Sequence, residues 1–176
     1  LLRLILLGFL MCIFLAACNP NKSIPPLSEK DFEVTYKDVL INTEIAPDSI
    51  IKKLGTEKGF EDNNHGLISQ GNGYNRWALN YPDKENADIT IVFLEDEIIF
   101  IQLKKIPTDR GVKVGDSVDQ LFKAYGKGKL IDQSYVYEYG KQKLQFYVSS
   151  DNDKVQRISI DYNSTEANRK QGITDG

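Results

Sequence analysis

A single histidine lies among acids and amides: His65, in the stretch EDNNHGLISQGNG that opens at Glu61. An imidazole beside Asp62 or Glu61 could act as a general base or as half of a metal site. The chain offers no second histidine and only two cysteines, so the usual nitrogen or sulfur partners are missing. A solvent-facing loop position is the preferred account of His65. Two acid clusters, Glu95-Asp96-Glu97 and Asp151-Asn152-Asp153, suggest calcium, but neither has the spacing of a full EF-hand loop. Asp and Asn also suit tight turns, because their side chains bond their own backbone, and the turn reading is preferred. A nucleophile elbow, a P-loop and HExxH are all absent from the sequence. No cofactor or metal is therefore expected.

Two aromatic groups could bind rather than react. Tyr74, Arg76 and Trp77 flank the Gly- and Asn-rich loop from Glu57 to Asn75, and such a loop can form a rim for peptide, protein or glycan. Trp77 taken alone fits a core position better, since tryptophan is largely buried on average. Tyr135, Tyr137, Tyr139 and Tyr147 populate two adjacent runs. They either face outward and contact a partner or cover an inner face and meet Phe122 and Tyr125.

The other chemistry lies at the amino-terminal end. LILLGFLMCIFLA is apolar, is preceded only by Arg3, and closes on Leu15-Ala16-Ala17-Cys18. The run is short for a bilayer span and ends in small residues, as a cleaved signal does. LAAC resembles the bacterial lipobox. That resemblance implies cleavage before Cys18, a diacylglycerol on its sulfur and usually another acyl chain on the new amino terminus. Two or three chains supply stable anchoring, at about 0.8 kcal/mol per buried CH₂. Cys12 leaves with the signal, so the folded part holds no thiol for a disulfide, a metal or catalysis. The formal net charge is −3, with no basic stripe, which argues against nucleic acid as a partner.

The elements that must position these residues come in two sets. VGDSVDQLFKAYGKG, residues 114–128, carries Ser117 three residues before Gln120, the spacing of a capping box. Val118, Leu121, Phe122 and Tyr125 then form one apolar stripe on a two-turn helix, and Gly126 closes it. INTEIAPDSIIKKLG, residues 41–55, repeats the design 71 positions earlier: Gly55 falls on Gly126, Ile50-Ile51 on Leu121-Phe122, and Ile41 and Thr43 on Val112 and Val114. Pro47 takes the first helical position, where its missing N–H costs nothing. Helices this short are stable only when laid on something else. Three strands are expected after each: 76–82, 89–96 and 97–103 in the first half, then 134–140, 143–150 and 155–162 in the second.

Each half thus reads as a short strand, a helix and a three-strand meander, an α+β architecture with both helices on one face of an antiparallel sheet. The expected organisation is a signal peptide (1–17), a lipidated cysteine and flexible tether (18–30), a first repeat (31–107), a second repeat (108–163) and a frayed tail (164–176). The stretch from Gly111 to Gly126 resembles a signature of small bacterial envelope lipoproteins. The architecture resembles beta-lactamase-inhibitor-protein repeats and the SmpA/BamE lipoproteins, although the proline usual after the last glycine is replaced by Lys127-Gly128-Lys129. The family's inhibitor contacts cannot be placed on this chain.

These observations point to a non-enzymatic, lipid-anchored envelope protein, its domain outside the cytoplasm, that binds another envelope or extracellular protein. The alternative is a cell-wall glycan or small-ligand binder using Tyr74, Arg76 and Trp77. A hydrolase centred on His65 ranks behind both. The partner's identity and the oligomeric state stay open.

Overall fold

The structure is a computed structural model that describes residues 23–55, 69–71 and 74–162. Cys18, Glu61, Asp62, His65 and the expected tail lie outside the described residues. A 3-10 turn, Glu29–Phe32, leads into a hairpin of β1 (Val34–Tyr36) and β2 (Val39–Ile41), then α1 (Pro47–Leu54). A first meander follows: β3 (Ser69–Gly71), β4 (Tyr74–Tyr81), β5 (Ile89–Leu94) and β6 (Glu97–Leu103). After α2 (Val118–Tyr125) comes a second: β7 (Lys129–Ile131), β8 (Ser134–Tyr139), β9 (Gln142–Val148) and β10 (Val155–Asp161). The eight meander strands form one antiparallel sheet in the order β3-β4-β5-β6-β10-β9-β8-β7.

The fold is α+β, and all six expected strands are present. Each meander has one strand more than expected. β3 and β7 span only three residues each and lie at the two sheet edges, too short for a period-2 pattern to register. The expected strand before each helix is also different in the two halves. The first half has the β1–β2 hairpin, whereas the second has an isolated bridge, Ser117 to Lys154. Ile41 and Val112, matched by the sequence echo, are nevertheless both in the core.

Both helices end as their residue types require. Ser117 Oγ accepts from Gln120 N–H at 3.3 Å, and the Ser117 N–H donates to Gln120 Oε1 at 2.9 Å, closing the capping box. Gly55 (φ 81°, ψ 172°) and Gly126 (φ 76°, ψ −176°) share one conformation, and positive φ there favours a residue without Cβ. Their ψ is extended, so each glycine turns the chain out more sharply than a left-handed helical residue would. Tyr81 donates from its hydroxyl to the Gly55 carbonyl at 3.1 Å, and Tyr137 does the same to Gly126 at 2.7 Å. The two halves thus share a tether from the helix end to the strand that begins the long part of each meander.

The correspondence continues to the seam. The last strand of each half carries an extra residue near its start, Ile99 in β6 and Gln156 in β10. Across the β6–β10 seam, Leu103 pairs with Ile158, Gln102 with Ser159 and Ile101 with Ile160. Exchanging the halves carries the first pair into the last, about a centre at Gln102 and Ser159. The inner face of this sheet makes one continuous core with Ile50 from α1 and Leu121 and Tyr125 from α2. Ala78, Val92, Leu94 and Ile99 form a second, smaller apolar cluster, and alternation along β4 and β5 puts it on the opposite face.

Candidate functional site

Strand geometry decides which candidate residues can act together. Successive side chains point to opposite faces, so Arg76 and Trp77 cannot share a site. Trp77 lies on the core side, stacked on Phe93 with centroids 4.3 Å apart, and its Nε1–H donates to the Glu95 carbonyl at 2.6 Å. Arg76 lies on the other face, half-buried opposite Leu94. Tyr74 opens β4 opposite Gly71, and its side chain lies outside what the structure describes. The proposed Tyr74–Arg76–Trp77 rim is not assembled.

The tyrosines of β8 share a face, and it is the inner one. Tyr135 meets Phe122 edge-on at 4.8 Å, and Tyr137 packs on Tyr125 at 5.3 Å. Tyr137 is buried, with its hydroxyl spent on Gly126. Tyr139 is exposed at the strand end and stacks on Phe32 at 6.0 Å. Of the expected binding tyrosines in β8, Tyr137 is buried, Tyr135 half-buried and Tyr139 exposed. The helix stripe covers Tyr137 and part of Tyr135, because Phe122 and Tyr125 pack on these rings.

Tyr147 differs by phase. Leu144, Phe146 and Val148 fill the inner side of β9, which leaves Lys143, Gln145 and Tyr147 on the outer face. There Arg157 of β10 sits over the Tyr147 ring, its guanidinium carbon 5.2 Å from the centroid, and the Tyr147 hydroxyl donates to Gln133 Oε1 at 3.0 Å. Arg157 and Gln156 are exposed. This Tyr–Arg pair is flanked on the outer face by Gln145, Gln156 and Lys143.

The acid clusters are turn chemistry. Glu95 (φ 51°) and Asp153 (φ 50°) both adopt a left-handed conformation, the one in the β5–β6 turn and the other in the β9–β10 turn. Asn152 Oδ1 accepts from Lys154 N–H at 3.1 Å, and no group of three metal-ligating residues converges among the described residues. A second titratable cluster pins the hairpin. Tyr36 donates to Asp88 Oδ2 at 3.0 Å, and Lys105 pairs with Asp88 at 3.1 Å. Burial pushes the Tyr36 hydroxyl up to about 12. Burial also works to raise the Asp88 carboxyl, but hydrogen bonds from Lys105 and Tyr36 outweigh it and hold Asp88 below its ordinary value.

One arrangement had no signal in the sequence. Arg110 reaches the segment expected to be a flexible tether. Its Nε and Nη2 bind the two carboxylate oxygens of buried Asp31 at 2.5 and 2.8 Å. Its Nη1 and Nη2 also donate to the carbonyls of Pro25 and Pro26, each at 2.9 Å, and Nη1 reaches Ala124 O at 3.2 Å. The guanidinium lies 4.9 Å from the Tyr125 ring centroid. Residues from Pro25 onward are thus clamped to the end of α2. The 79 positions separating Asp31 from Arg110 put this pairing beyond any local pattern.

No protein-family model and no curated protein matches the chain. Solved structures similar in outline include a cysteine-rich secretory protein of Staphylococcus aureus, 15% identical, covering 69% of this chain and 44% of that one with a TM-score of 0.47. A DUF4309 family protein (YjgB) of Bacillus subtilis is 14% identical, with 76% of this chain and 89% of that one covered and a TM-score of 0.43. An extracellular SCP-domain protein of Bacillus anthracis is 11% identical over 79% of this chain and 53% of that one, with a TM-score of 0.36. The chain thus spans about half the length, or less, of two of these three proteins.

Proposed function

We propose that the protein is a non-catalytic, lipid-anchored envelope module that binds another protein through the outer face of its second meander. The Leu15-Ala16-Ala17-Cys18 tetrad supports the anchor and a domain outside the cytoplasm. The Arg157–Tyr147 pair carries the binding reading: arginine and tyrosine are enriched at interfaces and dominate their energetics. Both lie on a broad strand surface with Lys143 and Gln145. The tandem helix-and-meander plan is in keeping with the resemblance to beta-lactamase-inhibitor-protein and SmpA/BamE repeats, and we read the two halves as products of duplication.

The test is photo-crosslinking from position 147 of the anchored chain in its native membranes. One reproducible protein adduct is expected. Arg157→Glu should weaken partner binding by about 2 kcal/mol, on the order of thirtyfold in Kd. Absence of any reproducible adduct from this face counts against the reading.

A further inference from the structure

The clamp and the anchor together orient the domain. Pro25 is fixed to Arg110 and stands seven residues after Cys18. Seven extended residues reach about 25 Å at most, whereas eight strands side by side span roughly 34 Å. A lipid on Cys18 would therefore keep the clamped end within about 25 Å of the bilayer.

The surface at that end fits a bilayer. Five large apolar side chains are exposed among the described residues, and three belong to the β7–β8 edge of the sheet: Leu130 at 61% and Ile131 at 40%, on opposite faces of β7, and Tyr139 at 44% at the far end of β8, while Ile24 at 41% lies against the Gly126 turn that leads into β7. The fifth, Leu40, belongs to the hairpin of the first half. Ile24 Cδ1 lies 3.6 Å from where a Cβ on Gly126 would stand, next to the chain entering edge strand β7. Lys123, Lys127 and Lys129 are exposed around these residues; the exposed acids of the same elements are Asp119, Asp132 and Glu138, the last paired with Lys143 at 3.8 Å. Apolar tips ringed by lysines suit the headgroup boundary, where lysine stems lie along apolar surface and their charges meet anionic lipid.

We infer that the rim formed by Ile24, edge strand β7 and Tyr139 rests on the anionic bilayer that holds the lipid of Cys18, leaving the β3–β4 side of the sheet directed outward. This rests on the anchoring reading above. It is tested on the full, matured chain in phosphatidylglycerol-containing vesicles. Lys127→Cys or Lys84→Cys supplies the labelling thiol, since Cys12 leaves with the signal and Cys18 is acylated. A fluorophore at position 127 should be quenched several-fold more by nitroxide-bearing lipid than one at position 84. Leu130→Glu with Ile131→Glu should bring the position-127 signal down toward that of position 84. Equal quenching at the two sites, or no change in the double variant, with the acyl mass present on Cys18, overturns the orientation. A mature chain with no acyl mass on Cys18 overturns the anchor itself, and the orientation with it.

Discussion

At the scale of single residues, Arg110 joins the amino-terminal segment to α2 through five hydrogen bonds. It neutralises Asp31, which is 2% exposed, and holds two proline carbonyls and the α2 carbonyl of Ala124. Removing it leaves a buried carboxylate without its cation and three carbonyls short of a donor. Breaking such a pair from one side costs about 3–5 kcal/mol, so Arg110→Ala should lower unfolding stability by that order in urea titrations. Arg110→Lys should recover part of the loss, because an ammonium replaces the charge but not the fork that spans both carboxylate oxygens. A neutral Asp31→Asn should cost less than Arg110→Ala, since it leaves no buried negative charge behind.

At the scale of elements, the two glycine exits give the sharpest comparison. Gly55 and Gly126 share a positive φ, and an added Cβ would meet nothing within 4 Å at Gly55 and only Ile24 at 3.6 Å at Gly126. The penalty for alanine is therefore backbone strain rather than collision. Gly55→Ala and Gly126→Ala should each destabilise by about 1 kcal/mol or more, and by similar amounts, which thermal unfolding of the two variants would measure. A large inequality would show that the two helix ends are not mechanically equivalent.

Much of this level was legible beforehand. Helix stripes, the Ser117–Gln120 box and the closing glycines are local signals, and the long strands announce themselves by apolar and aromatic runs bounded by turn residues. What escaped was short or remote. β3 and β7 have three residues each, and the Arg110–Asp31 pairing depends on how the halves close. Arg76 and Trp77 do not join in one rim because neighbours along a strand face opposite sides of the sheet. Tyr147 was visible as a tyrosine, but only the phase of β9 separated it from Tyr135 and Tyr137.

At the scale of the whole molecule, one core joins the halves, with Ile50, Leu79 and Ile101 from the first beside Leu121, Phe146 and Ile158 from the second. Alkali tests that unity. Burial raises the Tyr36, Tyr125 and Tyr137 hydroxyls to about 12 and pushes Tyr162 up as well. In the unfolded chain these groups release protons near pH 10. Below that pH both states keep them, and their contribution to stability is fully present. As pH rises from about 10 to 12 the unfolded state loses protons that the folded state retains, so stability falls across that window. Trp77, the chain's one tryptophan, sits in the first half, while Tyr125, Tyr137 and Tyr162 belong to the second. Trp77 fluorescence and the phenolate absorbance of the buried tyrosines should therefore change together in one transition. Two separated transitions would mean that each half stands alone.

The β6–β10 register has a consequence for ancestry. Because the Leu103–Ile158 and Ile101–Ile160 pairs exchange about Gln102 and Ser159, a half-length chain would have carried a border able to match itself at these positions. Two such chains could have zipped together as a homodimer before any fusion of their genes. The modern molecule would then be a dimer written into one polypeptide, free to let one copy acquire the lysines and leucine of its lower rim while the other kept its own surface.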